Sequence, residues 1–171
     1  APLEGEITSI VCPFKQELEY DVGRVKCGLI NVPENRDKPD SRMIQLLYAH
    51  IVASARLDSE DDDEPEEVVV AKDDPVVYLT GGPGVSIDPY VERFLEHDLT
   101  KSRDLYILNQ RGIGKSDEFC PFFSVTSREN LTAITLAESE AEELERTKAC
   151  FANAKAKGID LTGYNTVENA R

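Results

Sequence analysis

The chain has 171 residues, 40% of them hydrophobic and 30% charged, which suits one soluble domain with a core and leaves no room for two. No apolar run approaches the ~20 residues of a membrane span, and a net charge of −14 would repel nucleic acid, so neither is expected as a partner. In chain order, Glu6 to Val11 alternates as a strand, Arg24 to Val32 reads as a second ending at Pro33, and Arg42 to Ala55 as a long third. Eight acids and no base then fall between Asp58 and Glu67, whereas outside that run 25 acids face 19 bases. The run is expected to be a solvated hairpin loop, because dense like charges repel and no Asp-x-Asp-x-Asp-Gly calcium loop is present.

Val68 to Val70 and then Val76 to Thr80 resume the strand pattern, and Pro75–Leu79 is short, apolar and β-branched like a strand buried on both faces. Gly81-Gly82-Pro83-Gly84 stops it. Asp88 to Leu95 reads as a helix, and Asp104 to Leu108 as a second buried strand. From Thr135 to Lys157, Leu136, Leu144 and Phe151 recur with Ala137, Ala141 and Ala154 near the helical period, and Gly158 fits the residue after a helix end. Antiparallel strands leading into strand–turn–helix units predict an α/β layered fold.

The four cysteines, Cys12, Cys27, Cys120 and Cys150, form no Cys-x-x-Cys pair, and with two histidines no metal or other cofactor is expected. Three pairings are possible; the layout favours Cys12–Cys27 and Cys120–Cys150, each stapling a local segment, which implies an oxidising compartment. No signal peptide is visible, as in a mature secreted chain, and Asn130-Leu131-Thr132 is a glycosylation sequon.

Two motifs carry chemistry. Strand, glycine-rich turn and helix together build a rim whose backbone N–H groups can receive developing negative charge. Pro83 lacks an N–H, so the donor candidates are Gly82, Gly84 and Val85; taken alone, a Gly-Gly-Pro-Gly run is more often a plain turn. Asn109-Gln110-Arg111-Gly112-Ile113-Gly114-Lys115-Ser116 follows the second buried strand. It is not a phosphate-cradling Walker loop, which needs glycine where Asn109 stands, nor a nucleophile elbow, because Glu118 replaces the closing glycine. His50 and His97 both precede Ser116 and are read as structural.

Strand–Gly-Gly-Pro-Gly followed about 25 residues later by strand–Gln-Arg-Gly-x-Gly-x-Ser resembles the proline iminopeptidase and tripeptidyl aminopeptidase branch of the α/β-hydrolases. Cys27-Gly28-Leu29-Ile30-Asn31-Val32-Pro33 is similar to that family's first strand pair, and Tyr164 to Arg171 to its helix before the nucleophile strand. The family usually has Asp at the position of Asn109 and often His at that of Thr80.

The resemblance implies that residues 1–171 are the N-terminal part of one α/β-hydrolase domain, with 58–67 as a surface loop. It implies a secreted serine hydrolase releasing N-terminal proline or short peptides, with Gly82 as oxyanion donor, Gly84 as the alternative, and Gly81, Pro83, Gln110, Arg111 and Gly112 as loop support. Arg111 is expected to brace its loop and not to touch substrate. The Gly-x-Ser-x-Gly elbow, acid and histidine would lie on a C-terminal chain, the expected partner. Asn165 and Glu168 form an N-cap box for a helix of about six residues, marginal alone, which points the same way. An esterase or lactonase on the same scaffold and a non-catalytic binding module are the alternatives.

Overall fold

The structure is a computed structural model that describes residues 3–14, 23–57, 69–82, 84–116, 119–120 and 135–171. The acidic run 58–67, Val68, Pro83, Glu118 and the sequon at Asn130, all assigned roles by the sequence, lie outside the described residues. Strands β1 (Ile7–Ile10), β2 (Val25–Pro33), β3 (Met43–Ile51), β4 (Val76–Leu79) and β5 (Leu105–Leu108) form one open sheet in the order β1-β2-β3-β5-β4. β1, β2, β3 and β5 pair antiparallel in turn, and β4 with β5 is the single parallel pair among the described residues. Helices α1 (Asp88–Leu95) and α2 (Leu99–Ser102) make the crossover from β4 to β5. Helix α3 (Leu136–Ala156) and the short α4 (Thr166–Ala170) follow. The domain is thus mixed α/β, with a mostly antiparallel sheet and a C-terminal helix.

Strand periodicity divides the apolar side chains between the two faces. Cys27, Leu47, Ala49, Ile51, Leu105 and Ile107 point to one face, where Ile87, Val91, Tyr90 and Phe94 from α1 and its entry close the main core. The alternate residues Val32, Ile44 and Leu46, with Ile30 and Leu108, make a smaller cluster on the other face. Both disulfides form as the layout suggests: Cys12–Cys27 and Cys120–Cys150, with Cα separations of 5.0 and 5.1 Å. They point to an extracytoplasmic location. Among the described residues, no helix is long and apolar enough to cross a membrane, and no group of His, Cys, Asp or Glu could hold a metal ion.

Two expectations are corrected. β3 and β4 are not the arms of a hairpin, because β5 inserts between them and pairs with both. Neither is β4 buried on both faces. It is the sheet's edge strand; Tyr78 packs against Tyr90 and Phe94 of α1, while Val77 and Leu79 are 61% and 73% exposed on the opposite face. A short β-branched run has the same composition in either place, and only the non-local pairing decides.

Helix α3 starts in a reciprocal capping box: the Glu138 N–H donates to Thr135 Oγ1, and the Thr135 N–H donates to the Glu138 carboxylate. Gly158 follows it at φ 66°. Its apolar residues do not make a core stripe, since Leu136, Leu144 and Phe151 are exposed and Ala154 is the buried one. The helix is fastened by the Cys150 disulfide and by Asn153 Nδ2, which donates to the Phe119 carbonyl at 2.6 Å.

Candidate functional site

The candidate site lies where β4 and β5 end, the side of parallel strands at which ligands bind in α/β sheets. The loop after β4 runs through residues 80–87 into α1. Gly82 and Gly84 adopt φ values of 140° and 90°, which side-chain-bearing residues rarely take. A Cβ on Gly82 would stand 2.9 Å from the Gly84 amide nitrogen and 3.3 Å from that of Val85, whereas one on Gly84 would meet nothing within 4 Å. Gly82 therefore keeps open a small space beside two backbone nitrogens. Gly81, Gly82, Gly84 and Val85 are all exposed.

The loop after β5 lies directly against this one. Gln110 Nε2 donates to the Thr80 carbonyl at 2.8 Å. Asn109 is fully buried, and its Oδ1 accepts from the Ile87 N–H at 2.9 Å. A Cβ on Gly114 would lie 3.0 Å from Ser86 Oγ, and one on Gly112 would strike the Phe119 ring at 2.8 Å, so both glycines allow close packing. The Asn109 Nδ2 and Thr80 Oγ1 atoms are buried without a hydrogen-bond partner among the described residues.

Arg111 turns away from the glycine loop. Its guanidinium is buried and donates to the carbonyls of Pro33 (2.7 Å), Glu34 (2.9 Å) and Glu168 (3.2 Å), tying the β5 loop to the β2–β3 turn and to α4. Around it runs a polar network absent from the sequence reading. The buried Glu34 carboxylate accepts from Arg42, from the Tyr164 hydroxyl and from the Asp160 N–H. Burial pushes the Glu34 carboxyl up, but these three donors outweigh it and hold the group below its ordinary range. Lys38, Thr162 and Asn35 hold Asp160 far below the carboxylate range. Burial likewise raises Glu168, and the Arg36 N–H, Arg171 and Arg111 bring it below. Burial and the neighbouring Glu34 carboxylate push the Tyr164 hydroxyl up. Asn165 caps α4 by accepting from the Glu168 N–H at 3.0 Å, but the Glu168 carboxylate turns to the arginines instead of closing the box.

The serine and the histidines are not brought together. Ser116 is fully buried, and its Oγ accepts from the Leu47 N–H at 2.8 Å. His50 Nε2 stands 3.1 Å from Asp104 Oδ2, with its ring stacked on Tyr106; His97 Nδ1 accepts from the Leu99 N–H. A groove of about 370 Å³ separates the second sheet face from α4, floored by Ile30, Val32, Leu46 and Leu108 and reaching Leu79 at the open edge. No protein-family model matches the chain, and no curated protein matches it.

Proposed function

We propose that this chain is the N-terminal portion of a secreted serine hydrolase of the proline iminopeptidase and tripeptidyl aminopeptidase kind. Its 80–87 loop supplies oxyanion donors, and a C-terminal portion carries the Ser/Asp/His triad. The observation that carries the reading is the space kept open by Gly82, with the Gly84 and Val85 nitrogens 2.9 and 3.3 Å from its Cβ position. An α/β-hydrolase takes one oxyanion N–H from a loop joining a sheet strand to a helix and the other from the residue after its nucleophile. The loop between β4 and α1 occupies such a place. The engaged Ser116, His50 and His97 favour a nucleophile and base supplied from elsewhere.

In this reading a serine on the C-terminal portion attacks the carbonyl carbon, and the C=O electron pair moves onto oxygen. That oxyanion sits in the space beside Gly82 and is stabilised by N–H donors there: Gly82 by resemblance, with Gly84 and Val85 by proximity. Expulsion of the protonated amine leaves an acyl-enzyme, which water hydrolyses. Arg111 braces and does not touch substrate. The open β4 edge and the apolar groove support the reading of a covering C-terminal portion, since an exposed apolar edge calls for a covering element. The glycosylation sequon Asn130-Leu131-Thr132 is consistent with secretion.

The test is a pair of substitutions in the assembled enzyme. Both Gly82→Ala and Gly84→Ala strain a positive φ, but only the first fills the space. Gly82→Ala is expected to lower kcat about 10²–10³-fold, the loss typical of one oxyanion donor, and Gly84→Ala far less. Equal losses would refute the assignment. Gly82→Pro is not a clean deletion of the N–H, because proline cannot reach φ 140°. Proline and tripeptide amides assayed against simple esters separate the peptidase from an esterase or lactonase.

A further inference from the structure

We propose that Asn109 is a positioning residue for the glycine loop: it caps α1 from outside and, with Gln110, fixes both ends of the 80–87 segment. This rests on the reading of that loop as the oxyanion site and names the part that sets its geometry.

Helix α1 has no capping side chain of its own. Ile87 stands at its N-cap, and no side-chain cap bond is made there. The first N–H groups of a helix have no intrahelical partner and need an acceptor from somewhere else. Asn109, at the end of β5, supplies one to the Ile87 N–H at 2.9 Å. The side chain is fully buried, and its Nδ2 has no hydrogen-bond partner among the described residues. A buried donor without a partner is costly. The position therefore accepts a cost in order to present an oxygen at this point, which neither a hydrocarbon of similar size nor a shorter side chain would do.

The next residue completes the arrangement. These consecutive residues reach opposite ends of the neighbouring loop. Gln110 Nε2 holds the Thr80 carbonyl where the segment leaves β4, at 2.8 Å, and Asn109 holds Ile87 where it enters α1. Gly114 adds a third contact point, because its missing Cβ leaves room for Ser86, whose Oγ donates to Asp88 at 2.9 Å. Asn109 is itself fixed by its own N–H, which donates to the Leu47 carbonyl at 2.9 Å. Between those clamped ends, the backbone of Gly82 and Gly84 takes the positive-φ path that glycine permits but does not enforce. The backbone path of Gly82 and Gly84 is thus set largely by the loop after β5.

The experiment compares Asn109→Asp, which keeps an oxygen acceptor and removes the unpartnered donor, with Asn109→Leu and Asn109→Ser, which remove the reach to Ile87. The spectroscopic readout on the full 171-residue chain is the amide ¹H–¹⁵N shifts of Gly82, Gly84 and Val85 and the hydrogen exchange of Ile87. Asn109→Asp should retain the protection of Ile87, because the acceptor to its N–H is kept. Asn109→Ser should move all three shifts and speed Ile87 exchange about tenfold, the factor that one net hydrogen bond confers, with the β2–β3 amides unmoved. Asn109→Leu should do the same; if its buried apolar side chain prevents folding, the serine variant decides. Gln110→Leu should perturb the Gly82 end first. Unmoved loop amides in Asn109→Ser, or equal disturbance in Asn109→Asp, would overturn the proposal. In the assembled hydrolase, Asn109→Ser should lower kcat with KM little changed, and Asn109→Asp should rescue it. An assembled protein that is inactive with every substrate would sink the hydrolase reading, while the amide shifts would still decide the role of Asn109.

Discussion

Replacing Arg111 with methionine tests the brace at the centre of the molecule. The guanidinium donates to three carbonyls, at 2.7, 2.9 and 3.2 Å, from the β2–β3 turn and from α4. Its side chain is 1% exposed and lies 3.8 Å from the Glu168 carboxylate, which also has Arg36 and Arg171. Each buried acceptor deprived of a charged donor costs about 1–3 kcal/mol, so three give roughly 3–9 kcal/mol before relaxation. Methionine recovers part of the packing of the aliphatic stem, and losses within one network do not add. The expected loss is therefore about 4 kcal/mol, in the range found when one partner of a buried charged pair is removed. Urea unfolding followed by circular dichroism would read it as a lower midpoint at an unchanged m-value. Arg111→Lys should fall between, because one ammonium cannot reach carbonyls on two segments as the planar fork does. A loss below about 1 kcal/mol for Arg111→Met, the range of a surface change, would refute the reasoning.

Acid should release the C-terminal segment. Glu34, Asp160 and Glu168 are all held below their ordinary values, so their stabilisation is complete above the unfolded-state values near pH 4 and is lost as pH falls below about 4 towards the folded-state values. Hydrogen exchange across 158–171 at stepped pH checks this, and Glu34→Gln should flatten the response. Gly163→Ala should detach the same segment at neutral pH, because the added Cβ would overlap the Glu34 carbonyl; loss of the Tyr164 contact to Phe119 is the readout. Opening Cys120–Cys150, which closes a 30-residue separation, should loosen α3 and cost about 3–4 kcal/mol by loop entropy, leaving the β2–β3 core amides protected.

The local elements were legible because period and punctuation are written in neighbouring residues. Asp88–Leu95 is helical over its expected span, and β1, β2 and β3 fall within or close to theirs. The insertion of β5 between β3 and β4 was not legible, since alternation fixes which residues share a face but not which strand lies beside which. That non-local choice also placed Val77 and Leu79 on an open edge. The glycine loop was recognisable from composition, but the roles of its supports were not. Asn109 stands out in the sequence as a departure from the pattern of the family that the motifs resemble, yet only its 2.9 Å contact with Ile87 gives it work. Glu34 and Tyr164 are 130 residues apart, and no spacing rule joins them. Thr135 and Glu138 did carry a readable signal, a Thr-x-x-Glu box at the start of α3.

The central claim is that this chain supplies the oxyanion loop and not the nucleophile. The most direct test is to label the native protein, with every segment it carries in its source, with a fluorophosphonate and map the modified residue by peptide mass spectrometry. One labelled serine is expected beyond Arg171, in a Gly-x-Ser-x-Gly setting, lost when Gly82→Ala fills the oxyanion space, with Ser116 unmodified. Label on Ser116, or on any other serine of residues 1–171, would contradict it.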